Sequence, residues 1–109
     1  MNLAESCYRL TFTLPKEEMF GLASQIKRSA SSIPANIAEG YGREHTRSFI
    51  QYLRMAQGSL KELETHLLLA ERLGLFGKQS IKPAIDQCEV LGKMLRSFIR
   101  SLQRREPKS

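Results

Sequence analysis

A chain of 109 residues is long enough for one domain and too short for two. With 41% hydrophobic and 26% charged residues it falls among globular proteins, outside the disordered and collagen-like classes. Lys and Arg number 17 against 11 Asp and Glu, a net charge of +6. With an isoelectric point near 9.7, such a chain attracts polyanions. Nucleic acid is the first reading of that charge, an anionic membrane surface the second, and a basic soluble protein with no polyanionic partner the third.

No stretch approaches the ~18 uninterrupted apolar residues that a membrane helix needs. The N-terminus also lacks a basic head followed by an apolar run. The expectation is a cytoplasmic protein without membrane contact. Cys7 and Cys88 lie far apart and match no metal-ligand spacing. They read as buried free thiols of a reducing compartment.

Apolar residues recur at helical spacing from end to end. Leu3, Cys7, Leu10 and Leu14 mark a first helix over residues 2–13, stopped by Pro15. A second helix, 16–40, opens with Glu17 and Glu18 in its first turn, where the helix dipole favours carboxylates. Its stripe is Met19, Leu22, Ile26, Ala30, Ile33 and Ile37, and Gly40 and Gly42 are expected to end it in left-handed geometry.

The third helix, 46–73, carries Phe49, Leu53, Ala56, Leu60, Leu63, Leu67 and Ala70 in steps of 4 and 3. Thr46 is its expected cap and Gly74 its expected stop. The fourth, 79–104, is expected to be capped by Ser80, with Pro83 in its first turn. Its stripe is Ile81, Ile85, Cys88, Leu91, Leu95, Phe98 and Leu102. Four helices with short connections predict an all-α fold, one antiparallel up-down-up-down four-helix bundle over residues 1–109. Apolar residues off the main stripes (Ile50, Tyr52, Met55, Leu68 and Leu69, then Val90, Met94 and Ile99) suggest a subunit interface.

The stretch "SSIPANIAEGYGR", residues 31–43, sets a proline inside a helical pattern. Pro34 has no N–H, and its ring crowds the carbonyl of Ala30. The apolar stripe continues through it from Ile33 to Ile37, which predicts one kinked helix. Nearby serine hydroxyls are expected to bond the carbonyls released there. Asn36, Glu39, Tyr41 and Arg43 are polar groups around the glycine exit. They admit two readings, local structural bonds or a patch for a partner or second subunit.

The stretches "GLASQIKRSASSIPANIAEGYGR" and "GSLKELETHLLLAERLGL" resemble a four-helix-bundle family. Its members are encoded in intervening sequences of bacterial 23S ribosomal RNA genes. The resemblance runs over about residues 10–102, and Ser32 to Gly40, "SIPANIAEG", is its specific motif. Family members usually carry a longer first helix with an aromatic-containing lead, whereas this chain begins close to "YRLT". The resemblance implies a bundle assembled into a homo-oligomeric ring, typically a pentamer. It also implies a more distant kinship in fold with the accessory variability determinant of diversity-generating retroelements, whose rings work with a reverse transcriptase and its RNA.

Signals for catalysis are poor. His45 and His66 have no metal-ligand spacing to another His or Cys, and Gly40-Tyr41-Gly42 follows a helix, not the strand of a phosphate loop. No catalytic residue, metal ligand or cofactor is assigned. Basic residues are better organised. Arg47, Arg54 and Lys61 repeat every seven residues, and Lys93, Arg96, Arg100 and Arg104 share a face of the fourth helix. They read either as solvated faces, helped by the dipole at a helix C-terminus, or as stripes that track phosphates. Few aromatics accompany them: Tyr52 is one, and Phe98 is assigned to the core.

The expectation is a non-enzymatic, ring-forming protein that binds nucleic acid, RNA before DNA, by shape and charge. A scaffold that docks a protein such as a polymerase or reverse transcriptase is the second expectation. A small enzyme working near Asn36 and Glu39 is the third.

Overall fold

The computed structural model describes residues 2–105. It contains four α-helices: α1 Asn2–Thr11, α2 Leu22–Tyr41, α3 Thr46–Arg72 and α4 Lys78–Arg105, with a 3-10 turn at Lys16–Glu18 between the first two. Each helix packs on its chain neighbours, and α4 closes back onto α1. The cross-helix contacts show the directions. Gly40 lies against Phe49 and Tyr52, while Ser32, earlier on α2, bonds Ser59, later on α3. On the other side, Phe49 meets Phe98, while Leu60 lies beside Gly92. At the first pair, Lys27 early on α2 lies over Tyr8 late on α1, while Ala38 shares a cleft with Ala4, so consecutive helices run antiparallel, in an up-down-up-down bundle.

Helix boundaries follow local chemistry, with corrections. α1 ends at Thr11, two residues earlier than expected. The next three amides, of Phe12, Thr13 and Leu14, bond carbonyls three residues back. Thr11 and Thr13 also donate their hydroxyls to the carbonyls of Tyr8 and Leu10. That tightened turn leads into Pro15. Residues 16–21 do not belong to α2. Gly21 takes φ −103° and ψ −107°, outside the helical region, so the helix starts at Leu22. Met19, expected in the core, is exposed as a result.

Caps differ too. Neither Thr46 nor Ser80 caps a helix: His45 precedes α3 without a side-chain cap bond, and α4 begins at Lys78. Pro83 consequently falls inside α4, beyond its first turn. Gly74 does end α3 as expected, with φ +77°. The amide of Gly74 bonds the Glu71 carbonyl and that of Leu75 bonds the Ala70 carbonyl, a Schellman motif.

α2 runs unbroken through Pro34. Ser29 and Ser31 do donate to backbone carbonyls, but to those of Gln25, Ile26 and Arg28, not to that of Ala30.

The core is built from the expected stripes. Leu53, Ala56, Leu60, Leu63, Leu67 and Ala70 of α3 are buried, as are Ile26, Ala30 and Ile33 of α2 and both free cysteines. Two side chains trade places. Phe98 is 41% exposed, while Ile99, expected on an interface, is 6% exposed and packs in the core. A true α-helix has 3.6 residues per turn, so a stripe read in sevens drifts and a neighbouring residue takes over the seam. Ile50 is likewise core. Met55, Leu68, Leu69, Val90 and Met94 remain exposed. No helix among the described residues is long and apolar enough to cross a membrane.

Candidate nucleic-acid interface

Two of the basic stripes converge. Arg54 and Lys61 project from α3 and Lys93 and Arg96 from α4 into one open groove of about 630 Å³. Seven residues separate Arg54 from Lys61, two helical turns, so both lie on one face. Lys93 and Arg96 are three apart, again one face. Leu60 and Cys88, both buried, lie beneath. Gly58 and Gly92 also line the groove, and without side chains they leave it wide. A Cβ at Gly58 would meet nothing within 4 Å. Each glycine sits inside a helix, where it costs about 1 kcal/mol relative to alanine.

The groove is not uniformly positive. Glu64 and Glu89 line it as well, and Lys61 Nζ lies 4.0 Å from Glu64 Oε1. Arg47, Arg100 and Arg104 are exposed but are not among the lining residues. Arg47, in the first turn of α3, has an interaction of its own. Arg100 and Arg104 carry positive charge onward along α4 past the groove.

Asn36, Glu39, Tyr41 and Arg43 do not form one patch. Asn36 Nδ2 donates to the backbone carbonyl and to Oγ of Ser32, both at 2.9 Å. Ser59 of α3 donates to the same Oγ at 2.8 Å. This group ties α2 to α3 midway along the bundle. Arg43 instead donates to Glu39 Oε1 at 2.6 Å and to the Tyr52 hydroxyl at 2.8 Å. Its guanidinium lies 5.0 Å from the Tyr52 ring centroid, a cation–π contact. Glu39 is exposed and ion-paired at the surface.

Tyr41 belongs to a third group. Its ring meets Phe49 edge-on at 5.9 Å, and Phe49 meets Phe98 edge-on at 5.3 Å. This aromatic row across α2, α3 and α4 has no signature in the sequence, since its members come from three helices. The groove glycines did leave one: a lone glycine in a helical pattern signals a packing or functional reason.

Gly40 answers the question of the glycine exit. A Cβ there would lie 2.7 Å from Tyr52 Cβ and 2.9 Å from Phe49 Cδ1. The residue is a point of close helix–helix approach and not a terminator. α2 continues to Tyr41, and the Gly42 that follows has φ −80°, so neither glycine makes a left-handed exit. Among the described residues no group of three or more His, Cys, Asp or Glu could hold a metal ion.

A family model for the 23S rRNA-intervening sequence protein matches residues 1–97 of this bundle. The chain belongs to that family. The crystal structure of a protein of unknown function from the S23 ribosomal protein family of Bacteroides thetaiotaomicron superposes with a TM-score of 0.84. It is 27% identical, over 90% of this chain and 92% of its own. No curated protein matches. In this member of the 23S rRNA-intervening sequence protein family, one face of the "SIPANIAEG" stretch that carried the resemblance is the surface on which α2 meets α3, while Pro34, Ala35 and Ala38 line a cleft with α1. Ser32, Asn36 and Gly40 all stand at that contact.

Proposed function

We propose that this chain is a non-enzymatic, oligomeric nucleic-acid-binding protein of the cytoplasm. Its partner is structured RNA, held by phosphate contacts in the α3/α4 groove. The observation that carries this reading is the convergence of Arg54, Lys61, Lys93 and Arg96 on one open groove. Four cations facing one another across helices suit a backbone of closely spaced phosphates, each contact releasing counterions. Arg100 and Arg104 extend the track, and Arg47 is a further candidate contact. The ring implied by the family, a homopentamer, repeats the groove around its axis and multiplies weak contacts into avidity. Such binding reads shape and charge with little sequence preference, and DNA is bound less well.

The test is binding of the purified protein to a labelled structured RNA across a salt series, with the mass in solution measured in the same buffers. Affinity is expected to fall steeply with salt while the oligomer persists. Absence of binding at low salt with the oligomer intact overturns the reading.

A second reading is an assembly scaffold that docks a protein such as a polymerase or reverse transcriptase. Exposed Tyr41, Met94 and Phe98 favour it. Recovery of a protein partner by the wild-type chain after nuclease treatment decides for it.

A further inference from the structure

The groove between α3 and α4 changes character along its length. A Cβ at Gly92 would lie 3.5 Å from Leu60, which fixes the register of these two antiparallel helices. Glu64 follows Leu60 by about one turn on α3, and Glu89 precedes Gly92 by about one turn on α4. Both carboxylates therefore share one end of the groove. Arg54 and Arg96 line the other end, and Lys61 and Lys93 stand between. The order along the groove is acids, lysines, arginines.

Acids are out of place in a site for phosphates alone, because like charges repel. The side chain of Glu64 is only 23% exposed, and its Oε1 lies 4.0 Å from Lys61 Nζ, too far for a hydrogen bond. Its charge also reaches the buried Cys88 thiol on the groove floor, which it helps to push up. Among the described residues, neither Glu64 nor Glu89 accepts a hydrogen bond from the protein. Their acceptor oxygens remain open to a ligand.

A polyphosphate ligand can satisfy a carboxylate only where it carries a donor. RNA has one beside every phosphate, the ribose 2′-hydroxyl, and DNA lacks it. The lysines stand about one turn from the acids, ~5 Å along the helices. That is the scale separating a ribose hydroxyl from the phosphate beside it. Gly58 and Gly92 keep the middle of the groove open, so a sugar can enter between the two helices.

We propose that Glu64 and Glu89 determine specificity in this groove: they accept hydrogen bonds from ribose 2′-hydroxyls while the neighbouring lysines and arginines hold the phosphates, and so select RNA against DNA. This assignment rests on the RNA-binding reading and adds to it a chemical basis for choosing RNA, a donor group on the sugar in addition to duplex shape.

The experiment compares one hairpin sequence in three forms: RNA, DNA, and RNA with fluorine in place of each 2′-hydroxyl. The fluorinated strand keeps the A-form sugar and has no donor. The proteins are wild type, Glu64→Ala/Glu89→Ala and Lys61→Ala/Lys93→Ala, with unfolding midpoints confirming that each folds. Wild type is expected to bind RNA about tenfold or more tightly than the fluorinated strand, and DNA more weakly than RNA. The glutamate variant is expected to bind RNA and the fluorinated strand alike, because it gains affinity for the strand that offered no donor. The lysine variant is expected to weaken on both strands and to keep the wild-type ratio.

Equal binding of RNA and the fluorinated strand by wild type overturns the proposal. So does a glutamate variant with an unchanged ratio, since acids that merely repel phosphate or pair with lysine would shift both strands together. Either result leaves RNA binding itself standing. Failure of wild type to bind RNA at all overturns the RNA-binding reading and this assignment with it.

Discussion

At the residue scale, the glycines show how one residue type serves different purposes. Gly40 lets α2 and α3 approach closely. Gly40→Ala forces a methyl to within 3 Å of Tyr52 and Phe49, an overpacking expected to destabilise the fold by about 1–3 kcal/mol. Gly58 has open space around its missing Cβ, so Gly58→Ala should stabilise the protein by up to ~1 kcal/mol. Denaturant midpoints of the two variants check the opposite signs. The sequence shows both as glycines within helical patterns. Only the neighbouring helix distinguishes a contact from an opening.

The cysteines give a prediction in pH. Burial pushes the Cys7 thiol up from 9.0 to about 11. Burial, together with the nearby Glu64 carboxylate, pushes the Cys88 thiol up to about 12. The unfolded chain releases these protons first, so the stabilising contribution is complete below pH ~9 and is lost as pH rises toward the folded values. Stability is expected to fall between about pH 9 and 11. The double variant Cys7→Ala/Cys88→Ala should fall less steeply over the same window. Neither thiol should react with an alkylating reagent at pH 8 until the protein is unfolded, because reaction needs an accessible thiolate.

At the element scale, the stop and start signals had unequal force. Pro15 and Gly74 ended helices close to where they were read, since each acts on its own backbone. Serine and threonine caps failed at Thr46 and Ser80. A cap residue is chosen by where the helix begins, and burial of the apolar stripe settles that together with the loop. Gly21 divides what looked like one helix from residue 16, and Met19 and Phe20 become exposed with it.

Pro34 lies within α2 and removes the bond to the Ala30 carbonyl. Pro34→Ala restores that bond and fills less of the cleft between α1 and α2, which Pro34 lines. Helix propensity favours alanine by ~3 kcal/mol, and the freer unfolded chain takes back up to ~1. A net gain of about 2 kcal/mol, less what the smaller side chain loses in the cleft, is expected in thermal unfolding. A lower midpoint would mean that packing of the ring against α1 outweighs the lost hydrogen bond.

At the scale of the whole molecule, the packing of α3 against α4 decides which charges act together. Arg54, Lys61, Lys93 and Arg96 line one groove, whereas Arg100 and Arg104 lie outside it. If the groove is the RNA site, Arg54→Glu/Arg96→Glu should weaken RNA binding more than Arg100→Glu/Arg104→Glu. Each lost phosphate contact should flatten the plot of log affinity against log salt by about 0.7–0.9. A salt titration of the two double variants measures both effects. Equal losses would indicate a diffuse field over α4 with no role for the groove.

The sequence by itself determined four helices and their buried stripes. Helical periodicity is a local property of the chain, and each stripe has a single way to leave water. It also determined the family, because "SIPANIAEG" is a specific run that sets a proline, small residues and a close-approach glycine in one helix, with Ser32 and Gly40 toward α3 and Pro34 toward α1. Only the tertiary structure decided which basic stripes meet, why Asn36 and Arg43 serve separate contacts, and that Tyr41, Phe49 and Phe98 form one row across three helices. Those features depend on the register between helices. Register is set by side chains meeting across helices, which no single helix pattern contains.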